Sequence, residues 1–388
     1  MPARGPANLR VPLIWTGAET MLPLLSRRGL VAFALTLSAV SCVDEPITTS
    51  ALDPTDSTAP GADQPAGIGQ YRNPVYPGDF ADPFVLRVDS TYYGYATNAA
   101  GWNVPMLRSD DLVHWTPAGD ALPVLPSWAE PSRRLTWAPS VLALGGRYIL
   151  FFTTRDHRSG RQCTGRAEGA SPVGPFIDRE SVPFLCQSDL GGSIDASVVR
   201  DSTGQIYLIW KNDGNCCGSP VSLWSQRLSD AGRNLLGAPV QLLQTDQPWE
   251  GSLIEGPTMW REAGRWHLLY SANRWNTGEY ATGYAACATP LGPCLKPQSV
   301  PLMASNGSIA GPGGAETFED VQGRRWVAYH AWTAGRVGYA AGGVRSLRIS
   351  ILSAAASPKS GEPFGEGPLP RAAPALPIGL RQGSEPSR

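Results

Sequence analysis

Lysine is nearly absent from this sequence. Only three occur among the 388 residues, at Lys211, Lys296 and Lys359, so arginine supplies most of the positive charge. The formal net charge is −1, and no block of basic residues is present. This composition argues against nucleic acid or an anionic membrane surface as a partner.

A long apolar run is missing as well. The run near the N-terminus, Gly29 to Val40, is too short to span a bilayer as a finished helix. It follows Arg27-Arg28 and precedes Ser41-Cys42, and this order of basic, apolar and small residues is typical of an export signal. Residues 39–42 also resemble a bacterial lipobox, in which the cysteine becomes the lipidated first residue. Lipidation at Cys42 and plain secretion both stay open.

These patterns predict the organisation of the two ends of the chain. We expect residues 1–41 to be an export signal, with Met21 as an alternative start that makes residues 1–20 a mis-assigned extension. Residues 42–68 are rich in Ser, Thr, Pro and Asp without apolar periodicity, which predicts a disordered tether. The Pro- and Gly-rich residues 356–388 predict a disordered tail. We therefore expect a bacterial protein that is secreted or held at the cell surface, with a lipid anchor as its only membrane contact.

Cysteine pairs of the zinc-binding type are also absent, since no CxxC is matched by a second CxxC or by HxxxH. Besides Cys42 the sequence has six cysteines, an even number that favours disulfides in an exported chain. Six cysteines allow 15 pairings. Local spacing favours Cys163–Cys186 and Cys287–Cys294, whereas the adjacent Cys216 and Cys217 either bond to each other or stay free.

What the sequence does contain is a fivefold repeat. Its copies are Ala81-Asp82-Pro83-Phe84-Val85, Trp137-Ala138-Pro139-Ser140-Val141, Ile194-Asp195-Ala196-Ser197-Val198, Ile254-Glu255-Gly256-Pro257-Thr258 and Gly313-Gly314-Ala315-Glu316-Thr317. The second position falls at residues 82, 138, 195, 255 and 314, with spacings of 56, 57, 60 and 59. Each copy runs into an apolar strand, a turn and an aromatic-rich strand, which indicates a hairpin. A second element, Ser171 to Pro175, recurs 118 residues later as Thr289 to Pro293, so two registers agree.

The repeat predicts an all-β fold, a five-bladed β-propeller over residues 69–355, because a period somewhat above 50 residues fits one four-stranded blade. The first strand of each blade lines the axis, so equivalent positions converge there. In this alignment they are Asp82, Ala138, Asp195, Glu255 and Gly314. Three carboxylates beside two small residues predict an acidic funnel with room for a ligand. The alternative is that these acids cap turns or bind backbone amides at strand starts.

At these residues the chain resembles glycoside hydrolase family 43, the arabinanases, α-L-arabinofuranosidases and β-xylosidases, over the whole predicted propeller. The matching pieces are Ala81-Asp82-Pro83, Ser109-Asp110-Asp111-Leu112-Val113-His114-Trp115, Trp137-Ala138-Pro139, Ser193-Ile194-Asp195, Glu255-Gly256-Pro257 and Tyr329-His330-Ala331-Trp332. The resemblance implies an inverting hydrolase of arabinose- or xylose-containing polysaccharides. It implies that Asp82 is the general base, Asp195 tunes and orients the acid, and Glu255 is the general acid.

Three further residues are site candidates, Arg345 and His330 from the resemblance and Trp137 from its place directly before the axis position of blade two. Arg345 matches a position that reaches the sugar beside the cleavage point, although a surface arginine is the alternative. Trp137 could stack on a sugar ring or pack between blades. His330 matches a histidine near a bound calcium ion, and this expectation comes from the resemblance alone because calcium prefers oxygen ligands. We expect no organic cofactor.

Several alternatives stay open. The chain ends soon after the fifth repeat, so we expect no C-terminal β-sandwich, which favours arabinan or arabinofuranosyl side chains over β-xylosidase activity. A fructan-hydrolase clan shares propeller and acids, but its Asn-Asp-Pro-Asn and Arg-Asp-Pro motifs are not found here. One alternative is a non-catalytic glycan-binding propeller, which need not retain all three acids. Another is a propeller scaffold for protein partners, which does not predict small residues at two of the axis positions. We expect a monomer.

Overall fold

The computed structural model describes residues 71–132 and 135–352. The predicted export signal, tether and tail lie outside these ranges and stay predictions. No helix within the described ranges is long and apolar enough to cross a membrane.

The described residues form nineteen strands and four short 3-10 helices. In chain order the strands are β1 (Tyr76–Asp79), β2 (Phe84–Val88), β3 (Thr91–Tyr95), β4 (Pro105–Ser109), β5 (Thr116–Asp120), β6 (Trp137–Leu144), β7 (Arg147–Arg155), β8 (Gln162–Gly169), β9 (Ser193–Arg200), β10 (Ile206–Asn212), β11 (Ser222–Leu228), β12 (Leu235–Gln244), β13 (Ile254–Glu262), β14 (Arg265–Ala272), β15 (Ala281–Cys287), β16 (Cys294–Leu295), β17 (Ile309–Glu319), β18 (Arg325–Thr333) and β19 (Ser346–Ile351). The 3-10 helices are Ser188–Leu190, Gly214–Cys217, Pro248–Glu250 and Tyr339–Ala341.

The strands make five antiparallel sheets, which are the five blades of a propeller. Blade one is β2 to β5, blade two is β6 to β8, blade three is β9 to β12, and blade four is β13 to β16. Blade five is β17 to β19 with β1 added at its outer edge. The predicted all-β, five-bladed propeller is therefore confirmed, and β2, β6, β9, β13 and β17 are the first strands that carry the repeated segments.

The N-terminal strand closes the circle. β1 pairs with β19, with Tyr76 opposite Leu347, and the Val75 amide donates to the Leu347 carbonyl at 3.0 Å. The first described strand thereby supplies the fourth strand of the last blade. Blade two has three strands instead of the predicted four, and the segment after β8 covers its outer edge.

A hydrophobic core lies at each of the five blade interfaces, because both faces of a blade are covered by its neighbours. Tyr71, Tyr92, Phe318 and Trp326, for example, pack between blades five and one. The aromatic-rich second strands supply much of this packing, as the repeat predicted. Four tryptophans are fully buried: Trp128, Trp210, Trp326 and Trp332.

Both locally predicted disulfides are present. Cys163–Cys186 joins β8 to the segment that covers blade two, and Cys287–Cys294 joins β15 to β16 within blade four. Of the two alternatives for Cys216 and Cys217, the structure has the vicinal bond. The second repeated element is confirmed too, since Gly174-Pro175 and Gly292-Pro293 both adopt cis peptide bonds.

Candidate active site

One residue per blade turns into the central funnel with a left-handed backbone. These axis residues are Asp82, Ala138, Asp195, Gly256 and Gly314, with φ of 50°, 40°, 57°, 54° and 58°. All five line one cavity on the propeller axis. The predicted convergence is therefore confirmed for four of the five positions.

The fourth position was predicted wrongly. Glu255 was aligned with Asp82 and Asp195, but the structure places Gly256 there and Glu255 one residue earlier. Strand pairing shows the shift, because Glu255 lies opposite Ser271 just as Trp137 lies opposite Thr153. The motif Gly256-Pro257 therefore matches Asp82-Pro83, and the axis itself carries two acids. Glu255 reaches the site from the neighbouring position.

A second ring of residues, at the inner ends of the second strands, supports the axis residues. These support residues are Thr97, Thr153, Lys211, Ser271 and His330, and all are buried. Each pairs with the residue that precedes an axis residue in its own blade. In the sequence, each of them is a polar residue at or near the end of an aromatic-rich strand.

The support residues accept hydrogen bonds from the axis amides of the next blade. The amides of Ala138 and Asp195 donate to the hydroxyls of Thr97 and Thr153 at 3.0 and 3.2 Å. The Gly314 amide donates to Ser271 Oγ at 2.8 Å, and the Asp82 amide donates to His330 Nδ1 at 3.0 Å.

Blade three departs from this pattern. Lys211 has no acceptor to offer, so the Gly256 amide donates instead to Asp195 Oδ2 at 3.0 Å. One side-chain position thus holds a cation in blade three where the other blades hold hydroxyls or an imidazole.

Asp82 lies among groups that stabilise a carboxylate. Thr97 Oγ1 donates to Asp82 Oδ2 at 2.5 Å, and Arg345 Nη1 lies 3.7 Å from the same oxygen. His330 Nδ1 lies 3.4 Å from Asp82 Oδ1. The Thr97 hydroxyl and the Arg345 guanidinium therefore both stabilise a negative charge on Asp82.

Asp195 carries the clearest electrostatic perturbation of the funnel. Burial and the charges of Glu255 and Asp82 together raise its pKa to about 8, against the opposing effects of Lys211 and the Gly256 amide. The site therefore retains a proton near neutral pH.

Glu255 is held by one hydrogen bond on each oxygen. Lys211 Nζ lies 3.0 Å from Glu255 Oε2, and the Tyr280 hydroxyl donates to Oε1 at 2.9 Å. Tyr280 also lines the axial cavity. Neither Lys211 nor Tyr280 was predicted from the sequence.

Arg345 is buried, which excludes the alternative of a surface arginine. Its Nε donates to the Tyr339 hydroxyl at 3.1 Å, and its guanidinium carbon lies 4.5 Å from the centre of the Trp275 ring. Its backbone amide donates to Asp79 Oδ1 at 3.0 Å. These contacts aim the guanidinium at Asp82.

Trp137 begins β6 directly before Ala138 and is partly exposed. Its predicted contact with a sugar stays a prediction.

His330 is the residue on which the calcium expectation rests. Its Nδ1 accepts from the Asp82 amide, so the proton of the neutral ring is on Nε2, and burial together with Arg345 lowers the pKa of His330 well below its usual value. Among the described residues Nε2 has no hydrogen-bond partner, and no cluster of three or more His, Cys, Asp or Glu side chains is arranged for a metal. A protonated nitrogen without nearby carboxylates does not fit a protein-ligated calcium ion. Calcium stays an untested prediction, and no chemistry is assigned to it.

Glu316 is a carboxyl that the sequence analysis did not single out. It lines the axial cavity together with the axis residues, and it accepts hydrogen bonds from Ser197 Oγ at 3.0 Å and from Thr258 Oγ1. Burial raises the pKa of Glu316 to about 7, and these hydroxyls oppose the rise. It lies in the fifth repeat two residues after Gly314, where blades two and three carry serine.

Comparisons with known proteins agree with this geometry. The profile described as Glycosyl hydrolases family 43 matches residues 71–352. A solved thermostable family-43 glycoside hydrolase is 29% identical with a TM-score of 0.65, covering 73% of this chain and 93% of that chain. The β-D-galactofuranosidase xynD of Aspergillus niger is 25% identical over 281 residues, which cover 66% of this chain and 75% of the relative. Extracellular endo-α-(1→5)-L-arabinanase 1 of Bacillus subtilis is 22% identical over 272 residues, covering 65% and 80%.

A propeller with a carboxylate funnel, together with these relatives, defines the chain as a glycoside hydrolase. Because the family profile spans the whole described propeller, the chain belongs to glycoside hydrolase family 43.

Proposed function

We propose that this protein hydrolyses α-L-arabinofuranosyl bonds of plant polysaccharides with inversion of the anomeric centre. The substrate class is supported by the relatives, because one is named an arabinanase and another a β-D-galactofuranosidase, and both names specify five-membered sugar rings or their polymers. The reaction class is supported by Asp82 and Glu255, two carboxyl groups that both act electrostatically on the buried acid Asp195.

Asp82 acts as the general base. A base must be ionised when it accepts a proton from water, and the Thr97 hydroxyl and the Arg345 guanidinium both stabilise the charged form. In an inverting enzyme this carboxylate lies on the face of the sugar opposite the leaving group, with the two carboxyls ~6.5–9.5 Å apart.

Glu255 acts as the general acid and gives its proton to the departing glycosidic oxygen. It interacts with the buried acid Asp195, whose pKa is raised to about 8, so a proton is held beside Glu255 near neutral pH. The single observation that carries the proposal is the position of Asp195. Asp195 is a buried acid whose pKa is raised to about 8, and the charge of Glu255 contributes more to this rise than the charge of Asp82.

A substrate panel tests the proposal. We expect the purified protein to hydrolyse an aryl α-L-arabinofuranoside with a kcat/KM at least tenfold above that for the matching β-D-xylopyranoside and β-D-galactofuranoside. Linear and branched arabinan then separate internal from terminal cleavage. The Asp82→Asn variant serves as a control and should lose activity on every substrate. A preference for the xyloside, or full activity of Asp82→Asn, would contradict the proposal.

A further inference from the structure

Lys211 is the exception in the ring of support residues. Its side chain is 1% exposed, and its position in blade three corresponds to Thr97, Thr153, Ser271 and His330 in the other blades. A buried ammonium is costly unless it is paired. The acidic groups that pair with the Lys211 ammonium should therefore explain why a lysine occupies this position.

Two carboxyls flank the Lys211 ammonium. Glu255 Oε2 lies 3.0 Å from Nζ, and Asp213 Oδ1 lies 3.7 Å from it. Burial by itself lowers the pKa of Lys211, but the charges of Glu255, Asp213 and Asp195 together raise it above its usual value. Lys211 therefore stays a cation throughout the pH range of the reaction.

Asp213 is fixed directly after β10. The 3-10 helix Gly214–Cys217 follows it, the Cys216 amide donates to the Asp213 carbonyl at 3.2 Å, and the vicinal disulfide closes the same turn. Burial raises the pKa of Asp213 to about 6, Lys211 opposes this rise, and Glu255 adds to it. As a carboxylate, Asp213 balances part of the Lys211 charge.

We propose that Lys211 and Asp213 are positioning residues for the acid Glu255. Lys211 holds Oε2 and stabilises the carboxylate that proton transfer leaves on Glu255. Asp213 balances part of the Lys211 charge and so sets the strength of this stabilisation. The inference rests on the proposed role of Glu255. In the step concerned, the glycosidic C–O bond breaks and its electron pair stays on the leaving oxygen. That oxygen takes the Glu255 proton, and Lys211 remains an ammonium throughout.

The charged and titratable neighbours fix the sign of the expected effect. The pair formed by Glu255 and Asp195 is faced by Lys211 and Asp213 from blade three, by Tyr280 from blade four and by Asp82 from blade one. Arg161 adds a positive contribution at Asp213. Removing the Asp213 charge leaves the Lys211 charge less balanced, so the acid pair should lose its proton at lower pH.

The test is the pH dependence of kcat/KM for the Asp213→Asn variant on a substrate with a poor leaving group. We expect the alkaline limb to move to lower pH by about 0.5–1 unit, the size that one uncompensated charge produces at this range of distances. Lys211→Met removes the cation and should move the limb to higher pH, whereas Lys211→Arg should restore it towards the wild-type position. A role in folding alone would not produce opposite shifts.

Glu168→Gln is the matched control. Glu168 lies on β8, the outermost strand of blade two, and is ion-paired there with Arg166 and Arg233. It should leave the alkaline limb unchanged. An unshifted limb in Asp213→Asn overturns the inference, and so does a shift of the same sign in Asp213→Asn and Lys211→Met. If Asp213→Asn does not fold, the two Lys211 variants test the inference. An unshifted alkaline limb in Lys211→Met, or no return towards the wild-type position in Lys211→Arg, then overturns it. Full activity of Glu255→Gln on the same substrate would instead remove the proposed acid and so reject the underlying function.

Discussion

At the scale of single residues, the axis residues Ala138 and Gly314 are small for different reasons. Ala138 has a Cβ and still adopts φ of 40°. Gly314 has no room for one, because an added Cβ would lie 2.6 Å from His330 Nδ1 and 2.7 Å from Asp82 Oδ1. The missing side chain at position 314 is what lets the Asp82 carboxylate and His330 approach each other, so this glycine belongs to the geometry of the proposed base.

The Gly314→Ala variant should therefore displace the Asp82 carboxylate. Misplacement of a reacting group by about 1 Å can cost ~10²-fold, and we expect kcat to fall by that order. Gly256→Ala is the matched control, since φ is 54° there but the nearest atom to an added Cβ is 3.6 Å away. Steady-state kinetics of both variants, with melting temperatures, separate the clash from backbone strain. Equal kinetic losses in the two variants would show that the contact with Asp82 is irrelevant.

At the scale of secondary-structure elements, blade two replaces its fourth strand with an irregular segment. That segment touches β8 through bridges between Glu168 and Ile177 and between Thr164 and Leu185. The Cys163–Cys186 disulfide bonds this segment to β8 directly beside the bridge between Thr164 and Leu185. In blade four, the Cys287–Cys294 bond lies instead within a hairpin whose two strands already pair.

Loss of Cys163–Cys186 should therefore be the more costly of the two. A Cys163→Ser/Cys186→Ser double variant should lower the free energy of unfolding by ~3 kcal/mol, and Cys287→Ser/Cys294→Ser by somewhat less because its loop is shorter. Hydrogen exchange should rise around residues 177–187 in the first variant alone. Equal destabilisation with no local rise in exchange would contradict this role of the segment.

At the scale of the whole molecule, the fivefold pattern was predictable because every blade repeats the same buried strand, turn and aromatic strand. The axis position of blade four was not predictable. Ile254-Glu255 resembles Ile194-Asp195, whereas Gly256-Pro257 resembles Asp82-Pro83, and only strand pairing distinguishes the two alignments. The closing strand β1, Tyr-Pro-Gly-Asp, has no apolar alternation, so its pairing with β19 left no signal. Lys211 was visible as one of three lysines. Its neighbour Glu255 lies 44 residues away in sequence, and only the fold brings them together.

In the proposed function, Asp82 is the base and Glu255 is the acid. The expected consequence depends on the leaving group, because only a poor leaving group needs a proton to depart. Asp82→Asn should depress substrates of both kinds alike, since water must be activated whatever group leaves.

The most direct measurement compares Glu255→Gln with the wild-type protein on two substrates, an arabino-oligosaccharide and an aryl α-L-arabinofuranoside with a very good leaving group. The account predicts a ~10²–10⁴-fold loss of kcat/KM on the oligosaccharide and little loss on the aryl glycoside. Full activity on the oligosaccharide, or equal losses on both substrates, would contradict it.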